Sequence, residues 1–188
     1  MSLENQNNLN KSFQKIKGMI GEHLIKELFE NLGYEVHFNG VEYRLPAYAK
    51  MVKRNKNFKI FKTISNIPDF WVYSREKDKQ FLVEVKFRQN GKLLVGEVFQ
   101  YFEDETVIIV ISRDSFACNK IGVLKEKFKK KQEGEKDCYI EPENFVPLQH
   151  FDEFGFAESE KKIINHYIEM ANVFFNGLNG SYSNTVKK

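Results

Sequence analysis

Thr106-Val107-Ile108-Ile109-Val110-Ile111-Ser112 places five β-branched aliphatic residues in a row between two hydroxyl side chains. A strand built from this run has no polar face. It needs cover on both sides, as the central strand of a layered α/β core has. Two segments offer that cover. In residues 12–32, Phe13, Ile16, Ile20, Leu24 and Leu28 recur at steps of three and four, and Ile25, Phe29 and Leu32 widen the stripe. This spacing predicts a well-buried helix that stops at Gly33. In residues 158–178, Ile163, Ile164, Tyr167, Ile168, Ala171, Phe174 and Phe175 form a second apolar face, with Glu158 and Glu160 at the favourable end of the helix dipole.

The chemistry concentrates in residues 67–88. Ile67-Pro68-Asp69-Phe70-Trp71-Val72-Tyr73 and Phe81-Leu82-Val83-Glu84-Val85-Lys86-Phe87-Arg88 flank a polar gap at residues 74–80. The pattern predicts two strands joined by a turn. In the second run Phe81, Val83, Val85 and Phe87 share one face, and Leu82, Glu84, Lys86 and Arg88 share the other. A turn centred on Glu76-Lys77 sets Asp69 opposite Glu84. Opposed residues have Cβ atoms roughly 4.5–5.5 Å apart, and like charges placed so repel. A hard divalent cation relieves that repulsion. A solvated hairpin face with incidental charges is the alternative reading of the same spacing.

Pro68-Asp69, fourteen intervening residues, then Glu84-Val85-Lys86 resembles the signature of the PD-(D/E)XK phosphodiesterase superfamily, which includes Holliday junction resolvases and DNA-repair nucleases. Upstream, Gly18-Met19-Ile20-Gly21-Glu22 is similar to the glycine-plus-glutamate helix of resolvase-like members. The resemblance spans residues 13–112. It implies a restriction-endonuclease-like core: an α/β fold with a mixed central sheet flanked by helices. It also implies Mg2+, with Mn2+ as substitute, held by Asp69, Glu84 and the carbonyl oxygen of Val85. Lys86 would then assist the attacking water, and Glu22 would complete the metal site. Some members carry a Gln on the helix after the lysine strand, and Gln100 is similarly placed. Homodimers are common in the superfamily. Gly18 and Gly21 each cost a helix about 1 kcal/mol relative to Ala, which points to close approach by another backbone or a ligand.

Between these landmarks, residues 33–38 alternate as a short strand, with His37 on its surface. Asn39-Gly40 marks a turn, and residues 41–50 read as a short helix interrupted at Pro46. Residues 50–62 carry Lys50, Lys53, Arg54, Lys56, Lys59 and Lys62 without an acid. Together with Arg88 they are candidate phosphate-backbone contacts. A solvated loop and a lysine-bearing strand edge fit the same residues. Gln89-Asn90-Gly91 reads as a turn and residues 95–103 as a short helix. Residues 120–131 read as a basic patch or a solvated loop, and residues 138–140 and 145–148 as short strands or ordered loop.

The 188 residues, 41% of them hydrophobic, suit a single domain. Its core would span residues 12–112, with an elaboration over 113–178 and polar tails at 1–10 and 179–188. No apolar run reaches the length of a membrane span. The polar start lacks the regions of a signal peptide. Cys118 and Cys138 match neither a metal spacing nor a disulfide framework, which makes a cytoplasmic setting the default. A net charge of +3 says little about nucleic acid. The sequence therefore leads to a metal-dependent DNA nuclease. An RNA-directed nuclease on the same core, and a catalytically weak nucleic-acid-binding module of this fold, remain alternatives.

Overall fold

The computed structural model describes residues 3–39, 67–74, 78–128 and 138–183. Within them β1 (Glu35–Phe38), β2 (Phe70–Ser74), β3 (Lys79–Phe87), β5 (Val107–Ile111), β6 (Phe116–Lys120) and β8 (Val146–Pro147) form one sheet in the order β1-β2-β3-β5-β6-β8. β3 and β5 run parallel, and every other neighbouring pair is antiparallel. β4 (Leu93–Leu94) and β7 (Tyr139–Ile140) pair separately. The helices are α1 (Leu3–Asn31), α2 (Ile121–Phe128) and α3 (Glu158–Ser183). The chain is thus α/β, with a mixed central sheet flanked by helices.

The β5 run behaves as its composition requires. Val107, Ile109 and Ile111 join Ile25, Leu28, Phe29, Val83, Val85 and Phe175 in the core beneath α1 and α3. Ile108 and Val110 face the other way, into a second core with Leu93, Val98, Phe102, Ile121 and Leu124. The crossover that parallel β3 and β5 need supplies part of this second cover. The second core draws no buried residue from β1, β2 or β3. Among the described residues, one face of the sheet is therefore packed across its width, while the apolar core on the other lies mainly over β5 and β6. Cys118 lies in the first core and Cys138 in the second, both as free thiols.

Several expectations are corrected. α1 begins at Leu3, within a segment expected to fray; no Gly or Pro interrupts residues 3–17, so the buried part of the helix propagates outward. The buried line on α1 runs through Lys17, Gly21, Ile25 and Leu28, and Ile16 is 49% exposed. Lys17 is accommodated because its ammonium lies over the rings of Phe13 and Phe87, 4.6 and 5.6 Å from their centroids. A Cβ on Gly21 would stand 3.0 Å from Ile111 Cδ1, so the close neighbour is a side chain rather than the backbone or ligand expected, and Gly18 faces open space. The short helix expected over 95–103 is a single 3-10 turn, Val95–Glu97, followed by further turns. Gly96 weakens a longer helix, yet Val95, Val98 and Phe102 still reach the core.

The basic stretch at 120–131 contains α2. Its lysine count masked Ile121, Leu124 and Phe128, which are buried at helical spacing. Lys120 pairs with Glu105 and Glu153, and Lys125 with Asp104. α3 continues to Ser183, into the segment expected as a polar tail. Gly33 stops α1 with φ +80°, and Gly91 closes the turn after β3 with φ +68°. The expected turn at Gly40, the helix over 41–50, and Lys53, Arg54, Lys56, Lys59 and Lys62 lie outside the described residues.

Candidate active site

β2 pairs with β3 through Phe70↔Val83 and Trp71↔Leu82. Continuing that register by one residue sets Asp69 opposite Glu84, as the hairpin reading predicted. Pro68 is buried, and the Asp69 carbonyl accepts a bond of 2.8 Å from the Asn39 N–H, fixing the entry to β2 against the end of β1. Both carboxylates then accept from backbone N–H groups of the hairpin. The Val85 N–H donates to Asp69 Oδ2 at 2.8 Å, and the Asp69 N–H donates to Glu84 Oε2 at 3.2 Å. The Lys86 ammonium donates to Glu84 Oε1. A strand residue projects its N–H and C=O to the same side. Val85 therefore turns its carbonyl toward Asp69, beyond the point where β2 begins.

Burial makes this cluster electrostatically unusual. Glu84 is 4% exposed, and its β5 neighbour is Ile108. Loss of solvent, then the charge of Asp69, push the Glu84 carboxyl up to about 8, against the opposing pull of Lys86. Lys86 is part-exposed, with its ammonium 5.9 Å from the centre of the Phe102 ring. Desolvation lowers its pKa, but the Glu84 charge and hydrogen bond outweigh that and hold it above the ordinary lysine value. The ammonium is thus held cationic beside the carboxyl, while burial and the neighbouring acid disfavour the negative charge of Glu84 until another positive charge arrives.

The other predicted residues stand as follows. Glu22 is part-buried on α1, which packs on the Val83–Val85 face of β3. Arg88 follows Lys86 on the Glu84 face, donating to the Phe87 carbonyl at 2.9 Å and pairing with Glu97. Arg88, Gln14, Gln89, Asn90 and Arg113 border a cavity of about 700 Å³ at the carboxyl ends of β3 and β5. Gln100 is exposed, and its amide donates to the Gly96 carbonyl at 2.8 Å. Sequence reasoning missed Arg113, which stands just beyond a strand that is read for its apolar content. Among the described residues no three His, Cys, Asp or Glu side chains gather into a group that could hold a metal ion.

No family model, no curated protein and no solved structure matches this chain.

The donor set of the pair suits a hard divalent cation. Both side chains are carboxylates, and a carboxylate oxygen that accepts one hydrogen bond can still accept a further contact. With Glu84 ionised, two negative charges share one ammonium in a poorly solvated place. Mg2+ commonly takes one or two carboxylates and fills its shell with water and phosphate oxygens, so two carboxylates suffice.

Proposed function

We propose that this protein is a divalent-metal-dependent phosphodiesterase acting on nucleic acid, with DNA as the first substrate to test, on a restriction-endonuclease-like fold. The observation that carries this reading is the juxtaposition of Asp69 and Glu84: the Asp69 N–H donates to one Glu84 oxygen, Lys86 donates to the other, and the Asp69 carboxylate accepts from the Val85 N–H. A surface hairpin leaves its acids in water. Here one acid is buried in a state that disfavours its own charge. Perturbed acids beside a charged partner are characteristic of functional sites. The antiparallel β1-β2-β3 unit followed by parallel β5, with α1 across one face, supports the fold assignment.

Asp69, Glu84 and the Val85 carbonyl would hold Mg2+ or Mn2+. The ion supplies Lewis acidity toward the phosphate and lowers the pKa of water. The protein's own residues set the geometry. Asp69 is fixed through its backbone at the end of β1 and through its carboxylate at Val85, so it needs no reordering on binding. Lys86 is held cationic and part-exposed, one pleat along the strand from Glu84. Once the charge of Glu84 is otherwise balanced, Lys86 turns to the substrate. There it orients the attacking water and stabilises charge building on the phosphate. Water oxygen forms the new bond to phosphorus, the bond to the leaving sugar oxygen breaks, one proton of the water passes to solvent, and the leaving oxygen takes up a proton from solvent to depart as a hydroxyl. Arg88 and Arg113 offer guanidinium contacts to the flanking backbone.

The test is cleavage of single-stranded, duplex, flapped and four-way-junction DNA, and of RNA, in Mg2+, Mn2+ or EDTA. Cleavage that requires both metal and Glu84 supports the reading. Binding that persists in EDTA with no cleavage of any substrate overturns it in favour of a binding module.

A further inference from the structure

The second face of the sheet, on the β2–β3 side, carries the protein's one tryptophan. Trp71 stands on β2 two residues from Asp69, and therefore on the same face. A two-residue step along a strand is about 7 Å. The residue opposite it on β3 is Leu82, itself two residues before Glu84. Trp71, Asp69, Glu84 and Lys86 thus form one continuous strip. Trp71 is 46% exposed, whereas Phe70 and Val72 on either side of it are fully buried. Its indole N–H donates to Gln80 Oε1 at 3.1 Å, which steadies the ring while leaving it open to solvent.

The surroundings favour a neutral, flat ligand at this position. Trp71, Gln80 and Leu82 border a cavity of about 400 Å³ together with Lys79, Lys120, Glu105 and Glu153. Lys120 is paired with both glutamates at 2.9 Å, and Lys79 donates to the Glu153 carbonyl at 3.1 Å. These charges balance locally, so the cavity offers little net attraction for a phosphate. An exposed indole beside them offers a π-face, which every nucleobase can stack on whatever its identity. A base inside a duplex is already stacked and has no free face to give.

We propose that Trp71 is a stacking platform for an unpaired base next to the scissile phosphate, and that the substrate is single-stranded at that point. The inference rests on the phosphodiesterase reading for the word scissile, but its binding test does not. The single tryptophan is its own reporter. Its fluorescence is followed while short single-stranded oligo(dT), or blunt duplex of the same length, is added in EDTA. Single strands quench the emission saturably and the duplex does not. Read instead by the fluorescence anisotropy of a dye-labelled oligonucleotide, since the variants lack the tryptophan, Trp71→Ala weakens single-strand binding roughly ten- to a hundredfold, and Trp71→Phe restores most of it. In metal, Trp71→Ala raises KM for single-stranded or flapped substrate more than it lowers kcat. Equal quenching by duplex, absence of quenching, or unchanged binding by Trp71→Ala overturns the platform. Quenching without any cleavage in Mg2+ or Mn2+ keeps the platform and removes the phosphodiesterase.

Discussion

The two faces of β3 obey different rules. Phe81, Val83, Val85 and Phe87 lie under α1 and α3, with Val83 fully buried and Phe87 4.4 Å, centroid to centroid, from Phe175. Gln80, Leu82, Glu84 and Lys86 lie on the other face, where the second core of the described residues takes no member from β3. On the first face, burial is satisfied by packing. On the second it falls on a carboxyl that loses solvent and gains a second acid as neighbour. A fold indifferent to Glu84 would place an apolar residue against Ile108. Retaining an acid there costs stability, a cost that the proposed function accounts for.

The comparison can be broken most severely at Glu84. Glu84→Ala, or the isosteric Glu84→Gln, is expected to lower metal-dependent cleavage by about 10²–10³ or more while far-UV circular dichroism stays native. Wild-type rates in the variant would remove Glu84 from the site. The opposite face should show the reverse. Phe87→Ala is expected to lose about 3–5 kcal/mol of stability in urea melts, with kcat retained by whatever remains folded. A kcat collapse in the folded fraction would mean that the faces are not separable.

Smaller effects sharpen the contrast. Lys86→Ala is expected to slow cleavage about 10–100-fold with metal affinity held near wild type; loss of metal binding measured by calorimetry would show the lysine to be structural. Smaller still is a pH effect on stability. The folded-state pKa of Glu84 is raised, so its contribution is fully present below the ordinary carboxylate range and is lost as pH rises through about 8. Glu84→Gln should therefore gain stability on the wild type as pH rises, by about 1 kcal/mol or more at pH 8 relative to pH 5. A constant difference between the two melting curves would deny the elevated carboxyl.

How much of this was legible in sequence follows the same division. Patterns that depend on period were readable. The β5 run announced cover on both sides, and the polar gap fixed a register that sets Asp69 opposite Glu84. Features that depend on what packs from elsewhere were not. Lys17 counts as polar in any window, yet it is buried because Phe13 and Phe87 offer their rings to it. α2 was hidden because a window weighted by lysine obscures three buried apolar residues. β6 was missed because Phe116-Ala117-Cys118-Asn119-Lys120 has no strong alternation, and β5 and β8 hold it in place from either side. Trp71 was read as strand composition, since its exposure follows from the second core ending before β3.

The account turns on whether the Asp69–Glu84 pair exchanges a proton for a metal ion. Calorimetric titration with Mg2+ and Mn2+ near neutral pH, in buffers of different ionisation enthalpy, measures this directly. The account predicts binding with close to one proton released per ion, affinity that tightens as pH approaches about 8 and then levels, and loss of the proton release in Glu84→Gln. Binding with no proton release, or binding unchanged in Glu84→Gln, would place the metal elsewhere and contradict the role given to this pair.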